Sequence, residues 1–229
     1  MRGRREGFGV SPLTGQQAGR AVLDLVGERS NVSGMHRLQR RAPLEVIVVD
    51  PPPVDVRSGP PLDPGAIFLM LATVAADHLR PEELALLDGI EPDTWYHGQL
   101  LETLINDLEE RDPSLPTFIG RGIYYMFRPL MRQLGIRTAQ EGLLALPAFY
   151  RNGTRGDNGE WRVEVKGPGR VRIEGEQPYN CHFEEGGLIG LLEGLEAEDV
   201  QIEHAQCMRN GAPFCVFEVQ FREGTRDIG

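Results

Sequence analysis

The segment from Cys181 to Cys215 constrains this chain most, because it holds all three of its cysteines. In order it reads Cys181, 22 residues, His204, two residues, Cys207, seven residues, Cys215. A Gly-rich apolar stretch, Gly186 to Leu195, follows the first cysteine, and Asn210-Gly211 signals a hairpin turn before the last. Thiolates and imidazole are preferred ligands of Zn²⁺, and four of them close a tetrahedral structural site. The spacing predicts one structural Zn²⁺ held by Cys181, His204, Cys207 and Cys215, joining the start of a helix to a hairpin. Glu203 competes with His204 for the fourth place. Strict strand alternation puts His204 and Cys207 on opposite faces, so a bulge near Ala205 is required. Three inert core thiols, or a Cys207–Cys215 disulfide in an oxidising compartment, are the alternatives.

At 229 residues and 40% apolar content, the chain suits one domain, or one domain with an arm. It has no apolar run of about 18 residues, as a membrane-spanning helix requires. A net charge of −10 argues against a nucleic-acid surface, which needs Lys and Arg against phosphates. The basic residues are 23 Arg and the single Lys166, a bias of the kind a GC-rich bacterial genome imposes. Arg4-Arg5 is followed by polar residues rather than an apolar export segment, which predicts a cytoplasmic location.

Residues 1–64 read as an Arg-, Pro- and Gly-rich arm, partly disordered and a candidate contact for a protein partner. Within it Gly19 to Val26 suggests a short helix, and Leu44 to Val49 a strand stopped by Pro51. From residue 65 the pattern turns helical. Ala66 to Ala76 is a buried helix, and Pro81 opens a short one. Asp93 reads as the N-cap of a helix with Leu100, Leu101, Leu104, Ile105 and Leu108 on one face, and Glu102, Asn106, Glu109 and Glu110 facing out. Phe118 to Leu134 is helical with a kink near Phe127 from Pro129. Thr138 and Glu141 form a capping box for a helix through Tyr150 that Pro147 kinks. Trp161 to Lys166 and Val171 to Glu174 alternate as a hairpin; two more strands, Val200–Ala205 and Pro213–Phe221, follow the Gly-rich helix. The predicted fold is α+β: N-terminal helices on a four-stranded antiparallel sheet, in the order helices-ββ-α-ββ. The domain spans 65–222, and 223–229 is a tail.

From Cys181 to Val219 the chain resembles the 4-vinyl reductase domain family. That family shares the NO-signalling and Golgi-transport ligand-binding fold with the TRAPP vesicle-tethering subunits. The motif is most similar to that of phenol-sensing transcriptional activators, where a Cys before a Gly-rich helix and a Glu, Cys and Cys in the last hairpin hold structural zinc. Cys181, Cys207 and Cys215 match those cysteines, and His204 stands where the Glu would. The resemblance implies a small-molecule sensor with its pocket between helices and sheet, and Trp161 matches the pocket's Trp. Tyr124, Phe127 and Phe149 lie on kinked helices that either enclose a cavity or form plain core; with Trp161 they are the candidate ligand-binding residues. No His lies between Gly98 and Cys181 to meet a phenol hydroxyl. The Tyr-x-Ser-x-Arg pattern of haem-binding relatives is missing after Tyr124-Tyr125, so no haem is expected.

These readings predict a stand-alone sensor or regulatory domain for a hydrophobic small molecule, acting through a protein partner. The alternative is a homodimeric TRAPP-like structural or assembly protein without a ligand. Either would pair through the Leu100–Leu108 helix and the segment Ile123–Leu134. The sequence shows no nucleophile–base constellation and no phosphate loop, and four protein ligands leave zinc no open position, so no enzyme is expected.

Overall fold

The computed structural model describes residues 38–50, 52 and 58–224. The predicted helix at Gly19 to Val26 and most of the arm lie outside them. Two short strands, β1 (Leu62–Pro64) and β2 (Trp95–His97), pair antiparallel. The apolar segment Leu44–Val49 joins them by a single bridge, Val48 to Tyr96, flanked by His97 N–H to Ile47 O and Val49 N–H to Trp95 O, each 2.9 Å. Leu44 and Val46 also pack on the helical core, so this part of the expected arm belongs to the folded body.

The helices are α1 (Gly65–Val74), α2 (Pro81–Leu87), α3 (Gln99–Arg111), α4 (Leu115–Tyr125), α5 (Arg128–Gln133) and α6 (Ala139–Gly153). The Leu100 to Leu108 stripe of α3 is buried against α1 and α4 side chains in one core, so it is closed to a second copy. Asp93 does not cap α3. The backbone of Trp95–His97 is committed to strand pairing, and Gly98 takes the cap position. Pro129 does more than kink: without an N–H it cannot continue α4, and the chain restarts as α5 with the proline in its first turn. The Thr138–Glu141 capping box opens α6 as predicted. Glu223 adds two carboxylate bonds of 2.9 Å to the backbone N–H groups of Ala139 and Gln140, which ties the end of the last strand to that helix.

The main sheet is β3 (Glu160–Gly167), β4 (Arg170–Glu176), β5 (Glu198–Gln206) and β6 (Cys215–Arg222), antiparallel in the order β3-β4-β6-β5. Helix α7 (Cys181–Gly194) connects the two hairpins, which completes the expected α+β order. Val171, Ile173, Phe217 and Val219 turn to the helices, while Arg172 on the other face bridges Glu174 and Glu218. The glycines of α7 serve contact. A Cβ on Gly186 would come within 2.1 Å of Thr117 O, one on Gly190 within 2.1 Å of Arg121 O, and one on Gly120 of α4 within 1.9 Å of Phe183 O. The two helices therefore meet backbone on backbone. Among the described residues no helix is long and apolar enough to cross a membrane.

Candidate functional site

Three chemically distinct clusters surround the ends of α7. The first is the thiol corner. Asn180 caps α7, its Oδ1 accepting from His182 N–H at 2.9 Å and Phe183 N–H at 3.2 Å, and this sets Cys181 in the first turn. Cys215 opens β6, and Cys207 precedes a 3₁₀ turn, Met208–Asn210. The Cys181 and Cys215 sulfurs are 3.3 Å apart, and all three lie within 4.8 Å of one another. The bulge expected near Ala205 is present as a register shift between His204 and Gln206. All three cysteines are free thiols, so the disulfide alternative is not formed. The hydrogen bond with Cys215, then burial, push the Cys181 thiol well above its ordinary value, against the pull of Cys207 and the Arg209 backbone.

His204 is not one of the converging ligand atoms. Its ring lies on Phe217 with centroids 4.3 Å apart, and Nδ1 is 3.4 Å from Glu185 Oε2. Its Nε2 is buried without a protein partner. Burial lowers its pKa, but Glu185, Cys207 and Cys181 outweigh that and raise it. Glu203 points the other way: it is exposed and paired opposite Glu218.

The second cluster fills the interface between helices and sheet. Glu184, one turn along α7 from Cys181, is buried and accepts from Tyr124 Oη at 3.2 Å and Tyr150 Oη at 3.5 Å. Burial pushes its carboxyl up to about 8. Nearby, the Tyr179 hydroxyl lies 2.6 Å from Asp63 Oδ2 and 3.0 Å from Asn158 Oδ1, and burial lifts Asp63 to about 7. Trp161 stacks on Phe217 and meets Tyr150 edge-on at 5.7 Å. Its indole N–H is buried and makes no well-formed hydrogen bond. A cavity of about 40 Å³ beside it is lined by Pro147, Tyr150 and Asn158 among others. The four residues expected to line a pocket do share this core. Tyr124 and Phe127 meet edge-on at 5.9 Å, and Phe149 packs against the same cluster, but Trp161 alone of the four lines the cavity. Glu184, Tyr150, Tyr179 and Asp63 were not foreseen. The available signal was an acid three residues after Cys181, on the inward face of a Gly- and Leu-rich helix.

The third cluster is a charged corner. Glu102, Asn106 and Glu109 of α3, expected to face solvent, are buried because Arg209 of the 3₁₀ turn and Asn180 meet them. Arg209 Nη1 donates to Glu109 Oε2 at 2.7 Å, and Asn180 Nδ2 donates to Asn106 Oδ1 at 2.9 Å and Glu109 Oε2 at 3.1 Å. Asn106 Nδ2 donates to Glu102 Oε1 at 2.7 Å, and His182 Nδ1 lies 2.8 Å from Glu109 Oε1. Burial raises the Glu109 carboxyl, but Arg209 and His182 outweigh it and hold it below its ordinary value.

No family model and no curated protein matches the chain. Solved structures do. An H-NOX protein from S. oneidensis in the Fe(II)NO ligation state is 15% identical with a TM-score of 0.59, over 69% of this chain and 99% of that one. A Fe(II) unliganded H-NOX protein from K. algicida is 12% identical with a TM-score of 0.52, over 71% and 98%. At such identities the likeness shows the fold. It corrects the expected kinship with 4-vinyl reductase and TRAPP-like proteins, the TRAPP-like assembly reading, and the expectation of zinc to the exclusion of haem: the matching structures are H-NOX proteins described in Fe(II) states. A motif of four residues spans too little of the chain to decide between families that build the same order of helices and strands.

Proposed function

We propose that residues 38–224, with the Leu44–Val49 segment and β1 included, form a small-molecule-binding sensor domain, with the residues before 38 as an arm, 225–229 as a tail, and its output through a protein partner. The observation that carries this is the buried indole N–H of Trp161, which makes no well-formed hydrogen bond, has the Tyr150 hydroxyl beside it, and borders a small cavity. Leaving a buried donor unmet costs about 1–3 kcal/mol, which a ligand acceptor offsets. The fitting ligand is a small apolar molecule with one hydrogen-bond acceptor, seated beside Trp161; the closed space is about 40 Å³, so Tyr124, Phe127 and Phe149 repack to admit a single ring. Glu184 and its two tyrosines give the site a proton-bearing wall.

The H-NOX structures are described in Fe(II) states, and the residues present decide whether a haem fits here. Ligand cavities of that class measure about 300–1,000 Å³, whereas the helix–sheet interface here is filled by Tyr124, Tyr150, Trp161 and Phe183 around a space of about 40 Å³. Of the four described histidines, His182 is held by Glu109 and His204 by Glu185, His97 Nδ1 accepts from Gln99 N–H at 3.1 Å, and His78 meets Phe118 edge-on. In this closed arrangement the residues do not fit the macrocycle, so ligand recognition is assigned to the chain's own groups.

The test is emission from Trp161 in a Trp95→Phe background, titrated with cresol, indole, acetophenone and hemin. A saturable change with an acceptor-bearing aromatic, absent with toluene, which lacks the acceptor, supports the reading. A Soret band of stoichiometric bound hemin, or no response to any of the four, overturns it.

Two further assignments belong to the same reading. Cys181, Cys207 and Cys215 are a ligand set for a thiophilic metal ion, with His204 as a fourth ligand after a side-chain rotation, in the reducing cytoplasm that suits free thiols. Elemental analysis of purified protein with and without Cys207→Ser reads this directly. The exposed side chains of Phe118, Tyr125, Met126, Leu130 and Leu134 form an apolar strip on α4 and α5 suited to a homodimer. Light scattering of Leu130→Glu against the parent tests it.

A further inference from the structure

A second cavity lies at the charged corner, away from Trp161. It measures about 280 Å³, opens to solvent, and is lined by Arg40, Glu102, Gln177, Cys181, Met208 and Arg209 among others. Two of these carry polar atoms without a protein partner. Glu102 is 5% exposed, and its Oε2 has none although Oε1 is held by Asn106. Gln177 is 2% exposed; its Oε1 accepts from Tyr179 N–H at 2.7 Å while Nε2 has no partner. The wall therefore offers one fixed acceptor and one fixed donor, both more than nine-tenths buried, and each held in place through its other atom.

The charges of this corner are already matched. Glu102 and Glu109 face Arg209 at 3.6 Å and 2.7 Å, Arg40 reaches Glu109 at 3.1 Å, and His182 takes the remaining Glu109 oxygen. Burial lifts the Glu102 carboxyl to about 7 against the pull of Asn106 and Arg209, so a neutral occupant suits a corner whose full charges, Glu109 against Arg209 and Arg40, are already paired. The volume lies at the small end of the range of about 300–1,000 Å³ for ligand cavities, which suits a single ring.

We propose that this corner is a second binding site, for a small neutral molecule bearing a primary amide on a single ring. The amide N–H donates to Glu102 Oε2 and its carbonyl accepts from Gln177 Nε2. The assignment is independent of the interior site at Trp161.

The probe is nicotinamide, added to full-length protein with labelled methionine methyls and indole nitrogens. Expected is a saturable shift of the Met208 methyl, assigned with Met208→Leu, while the Trp161 indole resonance stays in place. Methyl nicotinate, which lacks the amide donor, should bind the parent protein about tenfold more weakly. Glu102→Gln and Gln177→Glu each keep the hydrogen bond that fixes the side chain and reverse the polarity of the free atom, so each should weaken nicotinamide by a similar factor. No Met208 shift, equal binding of amide and ester, or a shift confined to Trp161 overturns the proposal. The ester comparison uses the parent protein, so it decides the matter even if a variant fails to fold.

Discussion

Glu184 and Glu109 lie on either side of the same helix start, and their surroundings drive them in opposite directions. Glu184 faces tyrosine hydroxyls in a closed interior, and burial raises it to about 8. Glu109 is also largely buried, yet Arg209 and His182 overcome the desolvation and keep it low. Depth alone does not decide the charge of a carboxylate. What decides it is how closely a cation is held: Arg209 at 2.7 Å keeps Glu109 low, while Glu102, 3.6 Å from the same guanidinium, is still raised by burial to about 7. The interior is thus a neutral, proton-bearing cluster, and the Glu109–Arg209 pair of the corner an ionic one.

The strongest way to break this contrast is to remove the cation. Arg209→Met leaves Glu109 and Glu102 buried without their main partner, and should cost about 3 kcal/mol in urea unfolding at neutral pH. A loss below that of an ordinary surface pair would show that the corner is hydrated and unlike a buried pair.

The next effect is on pH dependence. The folded value of Glu184, about 8, exceeds its ordinary 4.5, so between the two the native protein holds a proton that the unfolded chain has released. Stability from this group therefore falls as pH rises through that window, at about 1.4 kcal/mol per pH unit for one proton. Glu184→Gln should flatten the melting profile between those limits. Glu109 has the opposite sign: its contribution is present above the ordinary 4.5 and is lost as pH falls through its lowered folded value. Arg209→Met should remove that acid limb and leave the alkaline one.

Two smaller changes sharpen the comparison. Tyr179→Phe deletes the hydroxyl between Asp63 and Asn158, and should cost about 1–2 kcal/mol by thermal unfolding. Arg40→Ala removes a guanidinium that is 63% exposed from the same Glu109, and should cost no more than about 0.5 kcal/mol. Equal effects of Arg40 and Arg209 would erase the distinction between rim and buried cation.

Much of the architecture was legible because it rests on local signals. The Thr138–Glu141 box, the break at Pro129, the bulge near Ala205 and the ββ-α-ββ order follow from capping, proline geometry and alternation. The convergence of the three cysteines followed from their spacing. The buried face of α3 did not. A stripe of Glu102, Asn106 and Glu109 carries the pattern of a solvated helix side, and only the arrival of Arg209 and Asn180, some 70 to 100 residues later, turns it inward. The ring of His204 lies away from the thiols for a similar reason: a cross-strand stack on Phe217 and a contact from Glu185 compete for it. Strand alternation names a face but does not choose a rotamer.

The glycine contacts between α4 and α7 have a mechanical consequence. Side chains ordinarily act as a compliant layer between helices, taking up small shifts by changing rotamer. At Gly120, Gly186 and Gly190 that layer is missing, and the two backbones touch directly. A Cβ on Gly187 would likewise meet the Tyr124 ring at 2.8 Å. The pair therefore moves as one stiff beam. It carries Tyr124 and Glu184 between them, and Cys181 and the Asn180 cap at one end. A displacement of Tyr124 is therefore expected to move α7 with α4 and so to reach the thiol and arginine corner.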